Sequence, residues 1–327
     1  MLHITNGGHA ADGIRAAGVP GEVVAWNDVL HEGPVPAGLS LDGLRPVRAR
    51  FIADAGWASF DEALAAFAQR DARLASGRLE DEVVLWFEHD LYDQLQLLQV
   101  LDWCAGQPAL HGRLSLVCDA EFLGLSTPKR LAERFPLRRL VSQDELRAAR
   151  EGWGAFRAPD PEPLASWVDR PSPLPFLPAA MHRLLQEYPA VERGLSRSEA
   201  QALQAIAAGR TQLRDLFRAS QWDLEAAPFL GDASFAGSLA RLAGGTRPLI
   251  VRTDGRPLVP PGADDAPAFW SGHVGLTADG EAVLAGRADA VALLGIDRWI
   301  GGVHLRAPGS VWRWDEAGRR LRIPPAR

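Results

Sequence analysis

Val83-Val84-Leu85-Trp86-Phe87-Glu88-His89-Asp90-Leu91-Tyr92-Asp93-Gln94 is the stretch on which the fold reading turns. A short apolar run preceded by Asp81-Glu82 reads as a strand over 81–87. Three polar residues follow, and then Leu91, Leu95, Leu98 and Leu101 recur at helical spacing as far as Cys104. Asp90 stands where a helix needs an N-cap. A buried strand running straight into a helix predicts a parallel sheet covered by helices.

The same grammar repeats to either side. Leu2 to Thr5 reads as a first strand, followed by Asn6-Gly7-Gly8 and a helix through Ile14 and Ala17. Gly21 to Trp26 reads as a second strand, Arg113 to Cys118 as a fourth and Leu137 to Val141 as a fifth. Two helices lie between the second and third strands, the later one opened by the capping box Ser59-x-x-Glu62. Ser142-x-x-Glu145 opens the helix that closes the domain. The prediction is a doubly wound, mostly parallel, Rossmann-like α/β domain over 1–157 with strand order 2-1-3-4-5, because right-handed crossovers restrict the topologies.

Pro-rich composition over 158–193 predicts a stiff linker with short helices. From 194 to 327 the pattern predicts a winged-helix-like α+β domain with a C-terminal β extension. Ser196-x-x-Glu199 and Thr211 cap its first two helices, and a third runs from about Asp232 to Leu242. Strands at Pro248–Val251 and Leu258–Val259 flank the turn dipeptide Asp254-Gly255.

Composition sets broad limits. The chain has 327 residues, 47% hydrophobic and 23% charged, enough for two domains with separate cores. The formal net charge of −6 divides unevenly, about −9 up to residue 192 and about +3 beyond it. That balance argues against a dedicated nucleic-acid binder, which needs clustered cations. No apolar run approaches the roughly 18 residues of a membrane helix. Two cysteines, Cys104 and Cys118, and no signal-peptide pattern point to a reducing cytoplasm.

Chemistry gathers where the first three predicted strands end. Parallel strands place their carboxyl ends on one side, and ligands bind there at the point where strand order reverses. Asn6, Gly7, Gly8 and His9 follow the first strand; Trp26, Asp28, His31, Glu32, Gly33 and Pro34 close the second. Glu88, His89, Asp90, Asp93 and Gln94 follow the third. The catalytic candidates are Glu88, His89, Asp28 and Glu32, as a general acid/base set or as hard ligands suited to Mg²⁺ or Mn²⁺. The ligand-binding candidates are Asn6, Gly7, Gly8, His9, Trp26, His31, Asp90 and Gln94, with helix amides after Gly7-Gly8 holding a phosphate or carboxylate. Asn6, Asp28, Glu32, Glu88 and His89 are expected in one pocket. His3, alternating with Leu2 and Ile4, reads as a packed strand residue.

No dinucleotide G-x-G-x-x-G frame exists, since Ala10 stands where its second glycine would be. No phosphate-binding G-x-x-x-x-G-K-[ST] loop, G-x-S-x-G elbow, H-E-x-x-H or zinc-deaminase pattern is present either. Most of the eleven tryptophans sit among aliphatics and read as core. Trp26, beside Asp28, is the one that reads as a ligand platform.

Leu2-His3-Ile4-Thr5-Asn6-Gly7, Trp26-x-Asp28 with His31-Glu32-Gly33-Pro34, and Phe87 to Gln94 together resemble the bacterial domain-of-unknown-function family 1835. Strings at Ala155–Pro161, Pro228–Asp232 and Gly295–Trp299 extend the resemblance over most of the chain. It implies no activity. The family pattern carries an acidic residue and a serine where this chain has Gly8 and His9, which implies altered chemistry there. Two functions of different class follow. One is a small-molecule-handling domain, a hydrolase or transferase for a phosphate-bearing or nucleotide-like ligand, joined to a module for a protein partner or self-association. The other is a ligand-sensing regulator that binds DNA. Its third helix offers only Arg241, Ser234 and Ser238 for base readout.

Overall fold

The computed structural model describes residues 1–262 and 265–324. Five strands, β1 (Leu2–Asn6), β2 (Glu22–Trp26), β3 (Val83–Phe87), β4 (Leu114–Cys118) and β5 (Arg139–Leu140), form one sheet in the order β2-β1-β3-β4-β5. β1 runs parallel to both neighbours, with Leu2 opposite Glu22 on one side and Val83 on the other. β3 and β4 are parallel as well. The expected order is therefore present.

The fifth strand departs from a wholly parallel arrangement. It is only two residues long and pairs antiparallel with β4, Leu140 lying opposite Ser115. A helix over Pro128–Arg134 supplies seven residues of the connection. At about 1.5 Å per residue it is shorter than the five-residue strand it would have to cross back over. The chain re-enters the sheet from the edge it left.

Helices cover both faces. α1 (Gly8–Ala16) lies on one side, with Ala10, Ala11 and Ile14 packed on Val84, Trp86 and Val117. α2 (Leu41–Asp54) and α3 (Phe60–Ser76) form a pair between β2 and β3 in sequence, and Ser59 and Glu62 make the expected capping box. α4 (Leu91–Ala105) carries buried residues on nearly every side, with Asp90 as N-cap. α5 (Pro128–Arg134) joins α1, and α6 (Gln143–Phe156), opened by the Ser142–Glu145 box, packs on α4. All five β3 residues are fully buried, at about 1.5–3 kcal/mol for each aliphatic side chain.

His3 is a core residue. Its Nδ1 accepts from Trp86 Nε1 at 3.0 Å, so its Nε2 carries the proton and donates to the Pro20 carbonyl, also at 3.0 Å. Burial holds the ring neutral, below the ordinary imidazole value of 6.5. Nitrogen NMR should show the Nε2–H tautomer as the neutral form, with a midpoint of protonation below 6.5. A midpoint at or above 6.5 would contradict the packing.

The chain divides into two compact units. The first comprises Met1–Asp54, Ala58–His182 and Gly301–Val303, and the second Ala55–Trp57, Arg183–Ile300 and His304–Arg327. The stretch read as a linker is folded: α7 (Glu162–Val168) packs on α6, with Leu164, Trp167 and Val168 buried, and α8 (Leu177–Leu185) follows.

The second unit begins with α9 (Arg197–Ala207), α10 (Leu213–Arg218) and α11 (Asp232–Leu242). Thr211 does not cap α10. Its carbonyl instead accepts from Val274, and Gln212 bridges His273. β6 (Ile250–Arg252) is the first strand of the expected hairpin, but its partner is not Leu258–Val259. After α12 (Ala266–Trp270) comes β7 (Val274–Leu276), which pairs antiparallel with β6. Val259 is largely exposed and gains nothing from pairing, whereas Val274 is fully buried. α13 (Ala278–Leu284), α14 (Ala290–Leu294) and two small pairs complete the unit: β8 (Asp297–Ile300) with β9 (Val303–Arg306), and β10 (Arg313–Asp315) with β11 (Arg320–Arg322).

Candidate functional site

The strand order reverses between β1 and β3, and the two strand ends meet there. Asn6 closes β1 and Glu88 follows β3, while the first turn of α4 brings Asp90 and Asp93 beside them. One carboxylate oxygen from each of Glu88, Asp90 and Asp93 lies within 4.8 Å of the others, and all three residues are buried. Among the described residues this is the only group of three or more acidic, His or Cys side chains with metal-ligating geometry.

Hydrogen bonds hold the cluster from several directions. Asp93 accepts the Glu88 amide on Oδ1 at 2.7 Å and the Asn6 side-chain amide on Oδ2. Asp90 accepts the Asp93 amide at 3.2 Å, which is the helix cap itself. Glu88 Oε1 accepts the amides of Leu123 and Gly124. Gln94 donates to the Glu88 carbonyl and to Cys118 Sγ, tying the ends of β3 and β4 together.

Burial decides the charge state. It raises the Glu88 carboxyl above its usual range and Asp93 well above it, with like-charged neighbours adding to the rise at Asp93. Burial and the Glu88 charge push Asp90 up to about 7. Arg134 is the cation that favours ionised Glu88, and it is itself paired with Asp119 and Glu121. Three carboxylates with this little positive charge nearby share protons at neutral pH or need a cation. Their ligand atoms are all oxygens, a set that fits a hard divalent ion such as Mg²⁺ or Mn²⁺.

Some candidates stand at the rim. Asn6 Oδ1 is buried without a hydrogen-bond partner, as are Gln94 Oε1 and His89 Nδ1. His89 packs against Phe122 and Phe176 at centroid distances of 5.1 and 6.0 Å, and burial lowers its pKa. Its ring does not belong to the oxygen cluster. Gly7, at φ +52°, starts α1, and Gly8 and His9 are exposed in its first turn.

The second-strand candidates are used otherwise. Asp28 is buried in a forked pair with Arg48, whose Nε and Nη2 lie 3.0 and 2.8 Å from Oδ1. The same guanidinium donates to the carbonyls of Val29, Glu32 and Pro34, so Asp28 and Arg48 clamp the loop 28–34. Gly33 sits in that loop at φ +72°, and a Cβ there would lie 2.4 Å from the Phe51 ring. The Glu32 carboxylate lies 3.7 Å from His31 Nε2, and the His31 ring meets Tyr92 edge-on at 6.1 Å. Of the five residues expected in one pocket, Asn6 and Glu88 meet in the cluster, His89 flanks it, Asp28 is engaged by Arg48, and Glu32 lies beside His31 outside the cluster.

Trp26 requires a correction. It is fully buried, donates Nε1 to Gln99 at 2.9 Å and carries Arg70 over its ring at 3.9 Å, so it offers a ligand no open face. Residues that the sequence did not single out complete the site, namely Arg134 and the amides of Leu123 and Gly124, while Arg48 holds the loop 28–34. Backbone donors carry no side-chain signal in a sequence, and Arg48 is one of three arginines on α2.

No family model matches the chain, and no curated protein matches it.

Proposed function

We propose that the N-terminal unit binds a phosphate-bearing, nucleotide-like small molecule together with a divalent cation, and acts on it as a hydrolase or transferase. The observation that carries this reading is the buried Glu88–Asp90–Asp93 cluster at the switch point of a mostly parallel sheet. Neighbouring α1, begun by Gly7-Gly8 without a side-chain cap, leaves amides for a phosphate. Asp90, at about 7, can accept or release a proton at neutral pH. The resemblance to the uncharacterised bacterial family belongs to the same proposal.

Mn²⁺ titration followed by calorimetry or electron paramagnetic resonance tests it. Glu88→Gln keeps an oxygen for the Leu123 and Gly124 amides but loses the charge, so it should weaken Mn²⁺ by about one to two orders of magnitude with little change in melting temperature. Equal Mn²⁺ affinity in both proteins would remove the cation from the proposal.

The C-terminal unit is read as a winged-helix-like interaction module. The bridge from Gln212 to His273, beside the β6–β7 pair, supports it by adding a third strand-like segment between the first two helices. The DNA-binding alternative is less well supported. On α11 the exposed residues are Asp232, Ala233 and Arg241, with Ser234 and Ser238 buried, so an acidic group leads the helix that would enter the groove.

A further inference from the structure

A cavity of about 940 Å³ lies between the outer edge of β2 and α3, within the first unit and outside the carboxylate cluster. Its walls are largely apolar by area, with Val29, Ile52, Ala63 and Phe67 among them, and polar residues including Arg15, Glu62 and Arg70 also line it.

β2 is the edge strand, so half of its peptide groups face this space. The Glu22 amide donates inward to the Met1 carbonyl, and strand alternation therefore turns Val23, Ala25 and Asn27 outward. Two of those outward carbonyls are already occupied. Arg15 Nη2 donates to Val23 at 2.8 Å, and Arg70 Nη1 donates to Asn27 at 3.1 Å. Arg70 is held in place by Asp71 and by stacking on Trp26 and Phe67. The flanking arginines leave Ala25 as the residue whose N–H and C=O both open into the cavity. An added β-strand needs a row of such groups and finds its neighbours capped. A flat ring with an adjacent donor and acceptor needs only one residue's pair, together with apolar walls on its faces.

We infer that this cavity holds the planar heterocycle of a purine-like ligand, hydrogen-bonded edge-on to Ala25 between β2 and α3. The assignment deepens the function proposed above and rests on it for the phosphate end alone. A ring hydrogen-bonded outside β2 lies about three strand spacings, roughly 14 Å, from β3, a span that an extended nucleotide with its phosphate chain can bridge to a phosphate near Glu88.

Calorimetry with adenosine, a purine without phosphate, tests the ring site separately from the cation site. Adenosine should bind the full chain without added metal. Ala66→Trp, at an exposed position that lines the cavity, should weaken adenosine at least about tenfold and leave Mn²⁺ affinity unchanged. Glu88→Gln should retain adenosine. Absence of adenosine binding at millimolar concentration, or equal binding by Ala66→Trp, overturns the inference whatever Mn²⁺ does. Binding of an extended valine-threonine peptide in place of adenosine overturns it in favour of strand addition. Loss of Mn²⁺ binding alone leaves the ring site standing and removes only the cation reading.

Discussion

Arg48→Leu should lower the unfolding free energy by about 3–5 kcal/mol, the largest single effect expected in this protein. Arg48 is 1% exposed and pairs with Asp28, which is 3% exposed. Removing it strands a buried charge, and it also orphans the carbonyls of Val29, Glu32 and Pro34. Adding Asp28→Leu to that variant should recover part of the loss, because two apolar groups need no counter-charge. Urea denaturation of the single and double variants measures both. A single-variant loss under about 1 kcal/mol would show that Arg48 does not clamp the loop and would reopen Asp28 as a site residue.

Asp90→Asn should stabilise the protein without metal and impair cation binding. Asparagine caps a helix as well as aspartate does, so the start of α4 is preserved. The sign follows from the direction of the shift. In the folded protein Asp90 holds its proton up to about 7, whereas the unfolded group releases it near 3.8. Between those values the folded state binds more protons, so this group's contribution to stability declines as pH rises through the window. At pH 8 the variant should exceed the wild type by on the order of 2–4 kcal/mol, and near pH 4 the difference should close. Saturating Mn²⁺ should reverse the order at pH 8, because only the wild type retains all three carboxylates. His3 changes stability in the opposite sense below its usual 6.5, losing it as pH falls, and cancels in the comparison of the two proteins. A difference that stays constant from pH 4 to 8 would exclude the raised carboxyl as its origin.

The contrast between Asp90 and Asp28 shows how far the sequence reached. Both are acidic residues just beyond a strand, and both read as site candidates. Asp90 meets two other carboxylates because α4 begins immediately after β3, so residues five apart or fewer are brought together by local geometry. Asp28 meets Arg48 because α2 folds back over the loop, a contact that no spacing encodes. Trp26 failed as a platform for a similar reason: Arg70, 44 positions later, covers it.

The sequence by itself determined the layered α/β architecture, the strand order, three capping boxes and the edge of the sheet at which acidic groups collect. These follow from periodicity, cap chemistry and the handedness of crossovers, which act over a few residues or through general chain sterics. Tertiary structure alone decided that β5 runs antiparallel, that β6 pairs with β7, that Asp28 is neutralised and that Ala25 faces an open cavity. Each of those depends on which distant side chain arrives at a given peptide group or carboxylate. Desolvation makes that arrival decisive, since a buried polar group must find its partner wherever the fold supplies one.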